Sequence, residues 1–122
     1  MAGALALRMT PDKIKAMEAV IDQCSLQHMD GASQFEAMFK MAAGMRELRS
    51  LITDDAMKDV MQLQNTSLGF RTDKAQGGYP VDIVKDCVIE ASLRGLRPVG
   101  NEFNIISGRM YVTKEGFSRL VR

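Results

Sequence analysis

The chain has 122 residues, of which 46% are hydrophobic and 25% charged, and its formal net charge is +1. This length suits one domain with a single core, and the near-neutral balance excludes a protein that is basic throughout. The opening run MAGALALRM is too short for a signal peptide or a membrane span, so we predict a cytoplasmic protein without membrane attachment, frayed over residues 1–9.

The first half of the chain predicts three helices. The first begins with Thr10 as N-cap and Pro11 as its first residue, and it runs to about His28. Ser33 and Glu36 form a capping box for a second helix over 34–49. Its predicted buried arc consists of Phe35, Met38, Phe39, Ala42, Met45 and Leu48. A third helix, 54–65, follows Thr53.

The next segment loses periodicity and then predicts a fourth helix. Residues 66–70 could form a short strand, and 71–79 is predicted to be a mobile loop. Pro80 opens a helix over 81–94 that Gly95 ends. Ile89 and Leu93 form an apolar pair on its charged face. Either this helix is sandwiched within the fold, or the pair meets another subunit or partner, and we predict self-association there.

Two strands and a final helix complete the predicted fold. The runs 102–106 and 109–113 flank Ser107-Gly108, which has the length of a two-residue hairpin turn. This register pairs Phe103 with Val112 and Ile105 with Met110, which gives the hairpin one wholly apolar face. A helix over 114–121 follows. We therefore predict a single α+β domain over 1–122, with four to five helices around a β-hairpin or small antiparallel sheet.

Few residues suit catalysis. His28 is the only histidine, and Cys24 and Cys87 lack zinc-ligand spacing, so we predict two reduced, buried thiols. No phosphate-binding glycine loop or nucleophile–base pair stands out. We predict that the protein is not an enzyme and uses no cofactor or metal.

The positive charge lies near the hairpin. Residues 91–122 hold six Lys or Arg against two acidic residues, which indicates a local site for an anion. Tyr111 on the polar hairpin face could stack on a base. The predicted DNA-binding residues are Arg94, Arg97, Asn104, Arg109, Tyr111, Lys114, Arg119 and Arg122. The alternative is that these side chains are simply solvated.

A winged-helix DNA reader has the same order of elements, three helices followed by a hairpin. In that arrangement the helix 81–94 would enter the major groove. Its exposed face carries Asp82, Asp86 and Glu90, which phosphates would repel, so we rank duplex reading low.

The runs LGFRTDK (68–74) and VKDCVIEASLRGLRPVGNEFNIISGRMYVTKEGFSRLVR (84–122) resemble the phage single-strand annealing recombinases of the RecT/Redβ type. The matching residues are Ala91, Gly95, Leu96, Pro98, Phe103–Ile106, Gly116, Phe117 and Arg122. The resemblance implies ATP-independent binding and annealing of single-stranded DNA by a homo-oligomer in a phage-infected or lysogenic cell. Members of that group are usually longer, so the chain is either an N-terminal portion or a shortened relative.

The leading expectation is therefore a single-strand annealing protein of the RecT kind. The alternative is a small phage module that binds a host or phage protein, for instance an inhibitor of a host defence nuclease complex.

Overall fold

The computed structural model describes residues 6–121. It confirms the predicted α+β class, with helices packed around a small sheet. In chain order the elements are α1 (Pro11–Cys24), α2 (Gln34–Leu51), α3 (Asp54–Val60), β1 (Arg71–Thr72), α4 (Val81–Leu93), β2 (Phe103–Ile106), β3 (Arg109–Val112) and α5 (Lys114–Leu120). Two short 3-10 helices, Leu26–His28 and Met61–Leu63, follow α1 and α3.

Hydroxyl side chains fix the starts of four helices. Thr10, Ser33, Thr53 and Thr113 each accept a hydrogen bond from the backbone N–H three residues ahead, at 3.1 to 3.3 Å. Such caps satisfy amides that have no partner within a helix. The sequence therefore located these starts correctly, whereas α1 and α3 end earlier than predicted and tighten into the 3-10 turns.

The hairpin has the predicted register. Phe103 pairs with Val112 and Ile105 with Met110 in the antiparallel β2–β3 ladder. The sheet is not purely antiparallel, however, because β1 joins β2 in parallel in the order β1-β2-β3. Parallel neighbours need a long crossover connection, and α4 supplies it.

The core lies where α4 packs between α2 and the hairpin. Phe103, Ile105 and Met110 are buried there, and the Phe103 ring stacks on Phe70 with centroids 4.9 Å apart. Burial of these rings and aliphatic chains is the main stabilising contribution.

The prediction of self-association through Ile89 and Leu93 assumes that both side chains are exposed on the surface of the single chain. That assumption is wrong. Their exposed fractions are 1% and 2% within the single chain. Because α4 is covered on both sides, an apolar pair on its second face serves the core and needs no second subunit.

The predicted buried arc of α2 is wrong for four of its six residues, since Ala42 is exposed as well as the three residues before it in the arc, and Met45 is half-buried. Phe35, Met38 and Phe39 are 73%, 54% and 68% exposed, whereas Leu48 is 1% exposed. The reason is Gly44, where a Cβ atom would lie 2.9 Å from the Cys24 Cβ. Only a residue without a side chain lets α1 come this close, so α2 faces the core with its Gly44 side.

The terminal segments are only partly described. The stretch 1–9, predicted to be frayed, falls largely outside the described residues, but Arg8 forms ion pairs with Asp55 and Asp59 at 3.4 and 3.1 Å. Among residues 6–121, no helix is long and apolar enough to cross a membrane.

Candidate nucleic-acid interface

One face of the three-stranded sheet is not covered by the core. Side chains alternate between the two faces of a strand, and Arg71, Asn104 and Tyr111 all lie opposite the buried set. The register aligns Arg71 with Asn104 and Asn104 with Tyr111, so the three form one row across β1, β2 and β3. Arg71 is exposed and Tyr111 is 49% exposed. We call this surface, with Ile106 and Arg109, the open sheet face.

The open sheet face combines a cation, an amide and an aromatic ring at neighbouring positions. Adjacent strands lie about 4.8 Å apart, so the whole row spans about 10 Å. Ile106 pairs with Arg109 in the next row outward, and both are exposed. A shallow depression of about 180 Å³ lies between β1 and β2 beside Asn104. The surface is thus flat, partly apolar and positively charged at both edges.

Asn65 holds β1 in place. Its φ of 63° lies in the left-handed region, which asparagine tolerates better than most residues. Its Oδ1 accepts from the Thr72 amide at 2.8 Å, and its Nδ2 donates to the Lys74 carbonyl at 2.9 Å. These bonds fix the strand that carries Arg71.

The predicted mobile loop 71–79 and the predicted strand 66–70 both need correction. The strand is Arg71–Thr72, which begins directly after the expected range and shares no residue with it. The Gln64 side chain bonds both backbone groups of Tyr79, accepting from its N–H at 2.6 Å and donating to its carbonyl at 3.3 Å. Only the middle of this segment, Ala75–Gly77, is exposed without such bonds.

Asp73 and Tyr79 hold the hairpin turn against the segment 71–79 by accepting hydrogen bonds from its backbone. The Asp73 carboxylate accepts from the Tyr79 hydroxyl and, at 3.1 Å, from the Ser107 amide, while the Tyr79 oxygen accepts from the Gly108 amide. The Tyr79 hydrogen bond lowers the pKa of Asp73, and the same bond raises the pKa of Tyr79. The Asp73 carboxylate at the margin of the open sheet face is therefore fixed in place and ionised, so it adds a negative charge beside Arg71.

Arg119 is engaged in a half-buried contact within the chain, which makes it a weaker candidate for DNA binding than the sequence predicts. Its Nε donates to Glu102 at 2.6 Å and its guanidinium also donates to the Gly95 carbonyl at 2.6 Å. Glu102 is 6% exposed and accepts a further bond from the Arg97 amide at 2.7 Å. Burial alone would raise the pKa of Glu102, but the Arg119 and Arg97 hydrogen bonds outweigh it and the pKa lies below its usual value.

The other predicted DNA-binding residues are dispersed. Arg94 pairs with Glu90 at 3.7 Å and lines a groove between α2 and α4, on the far side of α4 from the sheet. Arg97 and Lys114 are exposed, outside the row. Arg122 lies outside the described residues. The structure thus brings together Asn104, Arg109 and Tyr111.

Sequence reasoning missed Arg71, although it lies in the run LGFRTDK that carries the family resemblance. Its strand is two residues long and lies just after the predicted range 66–70, so no alternating pattern marks Arg71 as a sheet residue. The polar residue directly after the buried Phe70 was the available signal.

The described residues offer no cluster suited to a metal. No group of three or more His, Cys, Asp or Glu side chains within 6–121 is placed to hold an ion. Burial, with Glu90 and Asp86 nearby, raises the pKa of the Cys87 thiol to about 11. This thiol therefore stays protonated near neutral pH and is a poor nucleophile.

Comparison with models of protein families, with curated proteins and with solved structures finds no match to this chain. The functional assignment therefore depends on the geometry of the open sheet face and on the residues that the sequence itself carries.

Proposed function

We propose that the protein binds single-stranded DNA on the open sheet face and promotes pairing of complementary strands without ATP, as the RecT-type resemblance implies. The observation that supports this most is the row of Arg71, Asn104 and Tyr111 across three neighbouring strands. The proposal includes assembly into a homo-oligomer and a cytoplasmic location in a phage-infected or lysogenic cell.

Each member of the row suits one part of a single strand. An exposed tyrosine ring offers a stacking surface that any base can use. The Arg71 guanidinium can neutralise a phosphate, and Arg109 can do the same in the next row. The Asn104 Nδ2 can donate a hydrogen bond to a base edge that is not paired to another strand, whereas its Oδ1 is buried within the chain.

A flat surface of this kind suits single strands better than a duplex. In a duplex the bases are stacked and paired, so their faces cannot reach Tyr111. The element that a winged-helix protein would insert into the major groove is α4, which packs between α2 and the hairpin and exposes the acidic residues Asp82, Asp86 and Glu90. Single-stranded DNA is therefore the better-supported ligand.

The test is a fluorescence anisotropy titration of a labelled single-stranded oligonucleotide at low salt. Wild-type protein should bind, and Tyr111→Ala should weaken binding by about tenfold or more, because loss of one stacked base costs about 1–3 kcal/mol. Tyr111→Phe is the matched control, since it removes the hydroxyl but keeps the ring, and it should retain most of the affinity.

Two results would contradict the proposal. One is the absence of detectable binding at low salt by folded wild-type protein. The other is equal affinity of wild type and Tyr111→Ala, which would place the DNA elsewhere on the molecule.

A further inference from the structure

An apolar groove of about 360 Å³ runs along α1. Ile14, Met17 and Ile21 line it from the helix itself, and Ile52 and Val88 line it from the other side. We call it the α1 groove. Clefts of this size, lined mainly by apolar side chains, are where proteins bind apolar ligands or the side chains of a partner.

Two carboxylates line the α1 groove from its middle to the end nearer the C-terminus of α1. Glu18 and Asp22 lie one helical turn apart on α1. Both are exposed, and neither forms an ion pair with a described residue. An occupant of this groove should therefore be apolar and carry a positive charge at the matching end.

The helix α5 exposes a surface of this description. Lys114, Phe117 and Val121 are spaced by three and four residues, so they lie in one row along the helix and its C-terminal cap. Phe117 is 61% and Val121 65% exposed. Lys114 is exposed and forms no ion pair with a described residue. We call this row the α5 ridge, and the other side of the helix, at Gly116, is buried.

The α5 ridge and the α1 groove match in length and in charge. At 1.5 Å per residue, the ridge is about 10.5 Å long, and the stretch of α1 that lines the groove is about 12 Å long. With α5 antiparallel to α1, Lys114 lies beside Glu18 and Asp22, while Phe117 and Val121 cover the apolar half of the groove. The parallel orientation would leave Lys114 among apolar side chains, away from the Asp22 carboxylate.

We propose that the chain assembles head to tail, with the α5 ridge of one copy seated antiparallel in the α1 groove of the next copy. Within one chain the ridge is exposed and the groove is open, so the ridge does not fill the groove of its own copy. A contact between two different patches leaves one free ridge and one free groove on each growing assembly. Such contacts build rings when the rotation between copies closes and open filaments when it does not.

This interface specifies the contact within the homo-oligomer that the proposed function includes, and it rests on that part of the proposed function alone. It uses none of Arg71, Asn104 and Tyr111. Assembly is therefore measured without DNA, and the two proposals can fail separately. An assembled chain that binds no oligonucleotide would refute DNA binding only, and a monomer that binds oligonucleotide would refute the interface only.

The first test is sedimentation equilibrium of the purified chain up to high micromolar concentration. The average mass of wild type should rise with concentration beyond that of a dimer. Phe117→Ser/Val121→Ser removes the apolar part of the ridge without adding charge, and it should weaken association by about a hundredfold, as expected for loss of an aromatic anchor. Phe35→Ser/Phe39→Ser is the matched control, because these side chains are 73% and 68% exposed on α2, and it should assemble like wild type. Circular dichroism should show that both variants remain folded.

The second test separates the two halves of the contact. Glu18→Lys/Asp22→Lys reverses the charge of the groove but keeps the ridge, whereas Phe117→Ser/Val121→Ser keeps the groove but loses the ridge. Each variant alone should stay monomeric at concentrations where wild type assembles. Mixed, they should form a complex of one copy of each that grows no further, because only one intact ridge meets one intact groove. Growth of wild type past a dimer, together with a mixture that stops at one copy of each, is specific to head-to-tail assembly.

A wild type that is monomeric at every concentration would overturn the proposal. A wild type that stops at a dimer would replace the head-to-tail contact with a two-fold one. Equal weakening by Phe35→Ser/Phe39→Ser would place the interface on α2, and a mixture that stays monomeric would show that the ridge and the groove do not meet.

Discussion

Arg119 and Arg71 lie in two regions beside the same hairpin. The Arg119 guanidinium is paired within the chain, whereas the Arg71 guanidinium is exposed. Arg119 is 26% exposed in its side chain and is held by Glu102 and the Gly95 carbonyl. Arg71 is exposed on the open sheet face and forms no ion pair with a described residue. The first stabilises the junction of α5 with β2, and the second is available to a ligand.

The contrast shows why counting basic residues locates a binding surface poorly. A guanidinium whose donors are taken by a buried carboxylate is a weaker partner for a phosphate, however close it lies in the sequence, because the carboxylate offsets its charge. The excess of Lys and Arg after residue 91 predicts an anion site near the hairpin, and this stays a prediction. It did not distinguish an arginine that is paired within the fold from one that is left exposed without an ion pair in the described chain.

The largest expected effect is the loss of Glu102. Glu102→Ala leaves Arg119 without its carboxylate in a partly buried site, and breaking such a pair should cost about 3 kcal/mol of unfolding free energy. Urea denaturation monitored by circular dichroism measures it. The matched control is Glu90→Ala, which breaks the exposed pair with Arg94 and should cost about 0.5 kcal/mol or less. Similar losses in both variants would contradict the structural role assigned to Glu102.

Acid should weaken the same region. The pKa of Glu102 is below its ordinary value of 4.5 in the folded chain, so its contribution is complete above that value and is lost as pH falls through the folded pKa. Glu102→Gln should therefore be less stable than wild type at pH 7, and the difference should shrink as pH falls below about 4.5. Denaturation midpoints measured across this range provide the test, and a difference that stays constant would contradict it.

The hairpin and α4 were largely readable from the sequence, because their signals are local. Two apolar runs around Ser107-Gly108 specify one register, and a slip by one residue would expose Phe103 and Ile105. The positive φ values of Ser107 and Gly108, 52° and 75°, fit a tight turn between right-twisted strands. Caps such as Thr113 are equally local.

The errors came from contacts that no local pattern encodes. The face of α2 that turns inward depends on the close approach of α1 at Gly44, and the burial of Ile89 depends on α2 covering α4. The strand that contains Arg71 is fixed by the Asn65 side chain, through a hydrogen bond to Thr72 that lies outside the sheet ladder and follows no periodic pattern. Three residues of the candidate site, Asn104, Arg109 and Tyr111, could therefore be predicted from the hairpin register. Arg71 could not.

A smaller effect should follow from releasing β1. Asn65→Gly keeps the positive φ accessible but removes the side-chain bonds to Thr72 and Lys74, which should cost about 2 kcal/mol at about 1 kcal/mol each. It should also weaken single-stranded DNA binding, because Arg71 is no longer held in the row. Asn101→Gly is the control: Asn101 also has positive φ, 59°, but its Oδ1 accepts no hydrogen bond in the described chain.

If the Asn101 substitution destabilises the protein as much as the Asn65 substitution, the side-chain bonds are not what fixes β1. If Asn65→Gly binds DNA like wild type, the position of β1 does not matter to binding.

The most direct test of the open sheet face is the salt dependence of single-stranded DNA affinity for Arg71→Ala and Arg94→Ala. Each removes one exposed arginine, but only Arg71 lies in the row, whereas Arg94 pairs with Glu90 beyond α4. Arg71→Ala should reduce the slope of log affinity against log salt by about 0.7, the value for one single-strand phosphate, and Arg94→Ala should leave it unchanged. Equal slopes for wild type and Arg71→Ala, or a reduced slope only for Arg94→Ala, would contradict the assignment of the open sheet face as the DNA site.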